Sequence, residues 1–134
     1  MRRIKLALKY LFAASFVLAG VNHFINPAFY FKIMPPYLPW HAALVYLSGA
    51  CEIALGLLLF VPKLTRAAAW GLVALLVAVS PVNVHMALNH GLFPEYGVAA
   101  LWLRLPLQIL LLAWAYWYTL PVARRGGGDE VAAA

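Results

Sequence analysis

Four stretches of about 20 predominantly apolar residues constrain this chain more than anything else, because that is the length a helix needs to cross the hydrocarbon core of a bilayer. They run from about residue 6 to 24, 42 to 61, 67 to 88 and 98 to 120. Little chain is left between them. Of the 134 residues 66% are hydrophobic and only 10% are charged, whereas soluble domains carry about 25% charged residues to keep their surfaces wet. That balance excludes an ordinary soluble globule, a disordered chain and a disulfide-stapled secreted domain. The expectation is all-α: one integral membrane four-helix bundle over residues 1–122. A rival reading makes the first stretch a signal peptide, since a basic start and an apolar run lead to Val17-Leu18-Ala19. Cleavage there would leave three spans and an unbalanced topology, so the uncleaved form is preferred.

The net charge of +6 does not point to nucleic acid once the basic residues are placed. Arg2, Arg3, Lys5 and Lys9 precede or open the first run, Lys63 and Arg66 lie between the second and third, and Arg124 and Arg125 follow the last. Four crossings put these on one side, which predicts cytoplasmic N- and C-termini. Pro62 and Lys63 mark a short turn that makes spans two and three antiparallel neighbours. The outer loop 26–41 carries Phe29, Tyr30, Phe31, Tyr37 and Trp40 among several prolines, and reads as an interfacial segment or a cap on the bundle. Residues 123–134 read as a flexible cytoplasmic tail.

Polar side chains inside the spans are costly, by about 2.5–3.5 kcal/mol for a charged group at a helix centre, and each asks for a partner. Glu52 stands about ten residues into span two, near the midplane, flanked by Ser48, Gly49 and Gly56, small residues that admit another helix. Arg104 lies about six residues into span four, with Gln108 one turn deeper on the same face and Pro106 between them. Asn83 follows Pro81 in span three, and Asn22 and His23 close span one. Counted at about 1.5 Å per residue, these groups reach similar depths although the helices alternate in direction. They are expected to meet in one chamber in the outer half of the membrane. Its simplest form is a buried Glu52–Arg104 ion pair with the amides as helix glue; a protonatable group at that depth could also serve proton transfer or ligand binding.

Other constellations are weaker. His85 and His90 are five residues apart, about 140° around a helix, and do not share a face as a metal pair would; no metal site is expected. The single cysteine, Cys51, excludes an internal disulfide or a CxxC motif. No phosphate loop, Ser/His/Asp set or paired-carboxylate motif is present.

Five segments carry a resemblance to a known family: Gly20-Val-Asn-His-Phe24 with Pro27, the loop Met34 to Pro39, Ser48 to Gly56, Pro81 to Ala87, and Arg104 to Gln108 with the Trp-rich end of span four. In these the chain resembles the DoxX family of small bacterial membrane proteins, over roughly residues 4 to 120. The resemblance implies a four-helix bundle in the bacterial cytoplasmic (inner) membrane and a polar site of Asn22, His23, Glu52, Asn83, Arg104 and Gln108. The name-giving relatives are subunits of a thiosulfate:quinone oxidoreductase, and others are linked to membrane assemblies for thiol and oxidative-stress defence. A lone cysteine cannot run an intramolecular dithiol cycle, so this chain departs from direct sulfur redox chemistry.

The expected function is therefore an accessory or small-molecule-binding subunit of a membrane oxidoreductase or redox-stress assembly, with quinone as its candidate cofactor, and not an enzyme in isolation; as an enzyme it would be a quinone-linked oxidoreductase component. The alternatives are a carrier or binding protein for a small lipophilic or acidic compound, or a purely structural subunit. Expected partners are the lipid bilayer, a membrane or peripheral protein, and a second copy of the chain.

Overall fold

The computed structural model describes residues 2–121; the expected tail at 123–134 lies outside them. Among the described residues there are five helices and no strands: α1 (Arg2–Ile25), α2 (Pro27–Ile33), α3 (His41–Leu58), α4 (Thr65–Leu88) and α5 (Val98–Trp117). Single 3-10 turns at Pro62–Leu64 and His90–Leu92 connect α3 to α4 and follow α4. Four of the helices are long and apolar enough to cross a membrane. The apolar runs thus appear as single helices, and α4 and α5 continue through Pro81 and Pro106.

The departure from expectation is the outer loop. Pro27 takes the first position of a seven-residue helix, where a missing N–H is no loss and φ is already set. The chain then turns through Met34 to Trp40, and Trp40 holds a left-handed φ of 53° immediately before α3. A bulky residue pays for that conformation.

Two hairpins make the bundle. α1 packs most extensively on α3, and α4 on α5, while the short turn after α3 brings α3 against α4. The α1–α3 seam is built on glycines: a Cβ on Gly20 would stand 2.6 Å from the Gly49 carbonyl oxygen, and one on Gly49 would stand 2.6 Å from the His23 Cβ. Backbones approach this closely only where side chains vanish.

The main core lies at the end of the bundle that carries the start of α1 and the end of α5. Phe12, Ala13, Phe16, Leu59, Ala68, Ala69, Leu72, Leu76, Ala115 and Tyr118 are buried together there. Phe12 packs on Phe16 and Trp114 at ring-centre distances of 4.8 and 4.7 Å. Lys9 reaches across to donate to Thr65 Oγ1 at 3.2 Å, and Tyr118 donates its hydroxyl to the Lys5 carbonyl at 3.1 Å. Toward the opposite end a smaller cluster joins Ile33, Met86, Phe93 and Leu101. The outer surface is apolar all round, with Leu18, Leu47, Val77, Leu103, Ile109 and Leu110 all exposed. In water such a surface would aggregate; against lipid tails it is at home.

Candidate functional site

The glycine seam sets the position of the first polar group. Because Gly20 and Gly49 let α1 touch α3, His23, one turn past Gly20, is pressed against the α3 backbone. Its Nδ1 lies 2.9 Å from the Val45 carbonyl oxygen, which also accepts from Ser48 Oγ at 2.9 Å. A carbonyl can only accept, so Nδ1 carries the hydrogen and, in the neutral ring, Nε2 does not. Nε2 faces Glu52 Oε2 at 3.3 Å, and both side chains are largely buried. The contact is not aligned as a hydrogen bond, so Oε2 remains a buried acceptor with unused capacity. Two bare acceptors at this separation would repel, and one proton between them turns the contact attractive. From the other side, Tyr30 of α2 stacks on the His23 ring with centres 3.8 Å apart.

A second polar group sits on the other hairpin. Asn83 Nδ2 donates to Gln108 Oε1 at 3.0 Å, and Gln108 Nε2 donates to the Leu76 carbonyl at 2.6 Å, with Ser80 Oγ 3.3 Å away. The Leu76 carbonyl also accepts from Ser80 Oγ at 2.9 Å, so two side chains meet on one backbone acceptor in the helix that carries Pro81. Arg104, one turn before Gln108, points elsewhere: its Nη1 donates to Met86 Sδ at 3.6 Å.

The Glu52–Arg104 ion pair, the simplest form of that chamber, does not form. Glu52 is taken by His23 on the adjacent helix, and among the described residues no carboxylate lies within ion-pair distance of Arg104. Similar depth fixes a level in the membrane but not a direction around each helix. The same reason separates Asn22 from the rest. It is about 100° from His23 around α1, so with His23 inward it turns outward and donates to the Tyr30 hydroxyl at 2.8 Å.

His23, Glu52, Asn83 and Arg104 line one cavity of about 430 Å³ between the hairpins, roofed by Phe29, Tyr30, Ile33 and Met34. That size falls within the range of about 300–1,000 Å³ typical of small-molecule sites. Apart from these polar groups and Ser48 the wall is mostly apolar. Leu47 of α3, 61% exposed, and Ala78 of α4, also exposed, belong to the wall, so the cavity opens between α3 and α4 on the lipid-facing surface. A second cavity of about 290 Å³ lies toward α1 and α5, lined by Ser15, Phe16, Gln108 and Leu111; Glu52, Val79 and Asn83 border both.

Tyr30, Ser48 and Met34 were not singled out as site residues from sequence. Only the aromatic density of residues 29–40 hinted that α2 would fold over the polar level. His85 lies edge-on to Tyr37 and Phe93, outside the cavity wall. Among the described residues no three His, Cys, Asp or Glu side chains gather as metal ligands would.

Comparison with curated proteins and with solved structures found no match. One family model matches residues 12–119, which takes in α1 from Phe12 onward, the whole of α3, α4 and α5, and every residue of the polar site. The chain belongs to that family, described as Domain of unknown function (DUF8561).

Proposed function

We propose that this chain is a multi-pass protein of the bacterial inner membrane, with both termini cytoplasmic, that binds a small lipid-soluble molecule between its hairpins. It serves as an accessory subunit of a membrane oxidoreductase or redox-stress assembly. The observation that carries this reading is the cavity itself: apolar walls, an opening toward lipid, and His23, Glu52, Asn83 and Arg104 gathered in its wall. The basic residues beside the turns support the orientation, and the resemblance to the DoxX family supports the quinone-linked, bacterial setting. Tyr37 and Trp40, exposed on the loop that roofs the cavity, supply the surface for a protein partner.

Native mass spectrometry of the purified protein, followed by titration of decylubiquinone into protein held in nanodiscs, tests the reading. The expected result is a bound lipophile in the first experiment and saturable quenching of tryptophan fluorescence in the second. Ala78→Phe, which fills the mouth without adding a fluorophore to the assay, should abolish the quenching while the helical content stays unchanged. Bare protein, together with titrations that Ala78→Phe leaves unchanged, would sink it. A second reading, a carrier for an acidic compound, is favoured by one observation: Arg104 stands in the cavity wall without a carboxylate partner among the described residues.

A further inference from the structure

We propose that the cavity takes up the anion of a lipid-soluble carboxylic acid together with one proton, the anion at Arg104 and the proton between His23 and Glu52. This rests on the reading of the cavity as a binding site and names the class of its occupant.

Charge counting carries it. The titratable or charged groups around the His23–Glu52 contact are Tyr30 from α2, Cys51 beside Glu52 on α3, and Arg104 from α5; α4 contributes to the wall Asn83 and apolar side chains only. Of the acidic residues described, Glu95 is engaged by Lys32 outside the chamber, which leaves Glu52 as the one acid facing the cavity. With Nδ1–H committed to the Val45 carbonyl, the pair has two whole-number states. Without the shared proton it is a neutral ring and a carboxylate, net −1, and Arg104 brings the empty chamber to zero. With the proton the pair is neutral in either arrangement, imidazole with carboxylic acid or imidazolium with carboxylate, and Arg104 leaves the chamber at +1.

An uncompensated charge in a cavity walled mostly by apolar side chains is expensive. The protonated chamber therefore calls for a monoanion, and the empty chamber repels one because Glu52 is then charged. Proton and anion load together. No bond of the ligand forms or breaks: a carboxylate leaves water, one proton moves from solvent to the Nε2–Oε2 contact, and the net uptake is that of the neutral acid. The apolar walls at Leu75, Val79 and Val82 receive the tail, and the opening between Leu47 and Ala78 lets that tail extend into lipid.

Calorimetry on protein in nanodiscs tests this with octanoate as probe, octanol and decylubiquinone as neutral comparators, and empty nanodiscs subtracted. Run in two buffers of different ionisation enthalpy, it reads the protons taken up per octanoate bound. The expected result is saturable octanoate binding with about one proton taken up. Arg104→Leu should weaken it roughly ten- to hundredfold, the loss of one charge-assisted contact, and Arg104→Lys should restore part of it. Glu52→Gln, which cannot hold the charge that opposes the anion, should keep octanoate binding but take up no proton. Octanoate binding no tighter than octanol, an Arg104→Leu variant that binds as well, or proton uptake that persists in Glu52→Gln would each overturn the proposal. Decylubiquinone binding without octanoate binding would overturn this inference and leave the cavity reading standing, whereas no binding of any of the three would overturn both.

Discussion

The two ends of the bundle solve the problem of burying polar and apolar groups in opposite ways. At the end holding the start of α1 and the close of α5, ten residues are buried together, and among them Phe12 sets its ring against Trp114 and Tyr118. At the end under α2, the buried cluster shrinks to four residues and a cavity of about 430 Å³ takes the space between hairpins. A fold that needed only stability would have filled that space with side chains, since close packing is the rule in protein interiors. Order at one end makes it affordable to hold polar groups and empty volume at the other.

That contrast can be broken most sharply in the core. Phe12→Ala should cost about 3–5 kcal/mol in thermal or denaturant unfolding in detergent, while Ile33→Ala, in the smaller cluster at the cavity wall, should cost near the low end of about 2 kcal/mol. Equal losses would mean that both ends carry stability alike. The seam comes next: Gly20→Ala forces a methyl to 2.6 Å from the Gly49 carbonyl oxygen and should cost about 1–3 kcal/mol, whereas Gly91→Ala, with open space around it, should cost far less. A silent Gly20→Ala would show that α1 and α3 do not touch there. Gln108→Leu removes the bonds to Leu76 and Asn83 and should lower stability by about 0.6–2 kcal/mol. Were it stabilising, the amide would be a site group rather than helix glue. Smallest is the latch between Lys32 and Glu95, both partly exposed, for which a double-mutant cycle should give about 0.2–1 kcal/mol that fades with added salt. Coupling well above that range would make the roof over the cavity a structural element in its own right.

The four long helices were legible because a run of about 20 apolar residues has few alternatives. Their positions were close: α4 ends at Leu88 and α5 begins at Val98, as the hydropathy suggests. Depth was legible too, and it brought Glu52, His23, Asn83 and Arg104 to one level, where they border one cavity. Pairing was not. Which residues face one another depends on rotation about each helix axis and on how near the backbones come, and both follow from the contact that Gly20 makes with Gly49. Ser48, Gly49 and Gly56 showed that a helix would approach Glu52, but not that it would be α1 bringing His23 rather than α5 bringing Arg104. α2 was hidden for a different reason, since seven residues are too short for a periodic signal and their aromatic rings suggested the membrane interface.

The division into hairpins also bears on how the chain is made. Gly20, His23, Val45, Ser48 and Glu52 all belong to the first hairpin, so every group that the contact between the carboxylate and its imidazole partner needs is synthesised before α4. No charged group need wait exposed in the bilayer for the second half to arrive. The turn at Leu59 to Leu64 is then a natural place to cut the gene, and two separately expressed halves should meet in the membrane and rebuild the cavity at their junction.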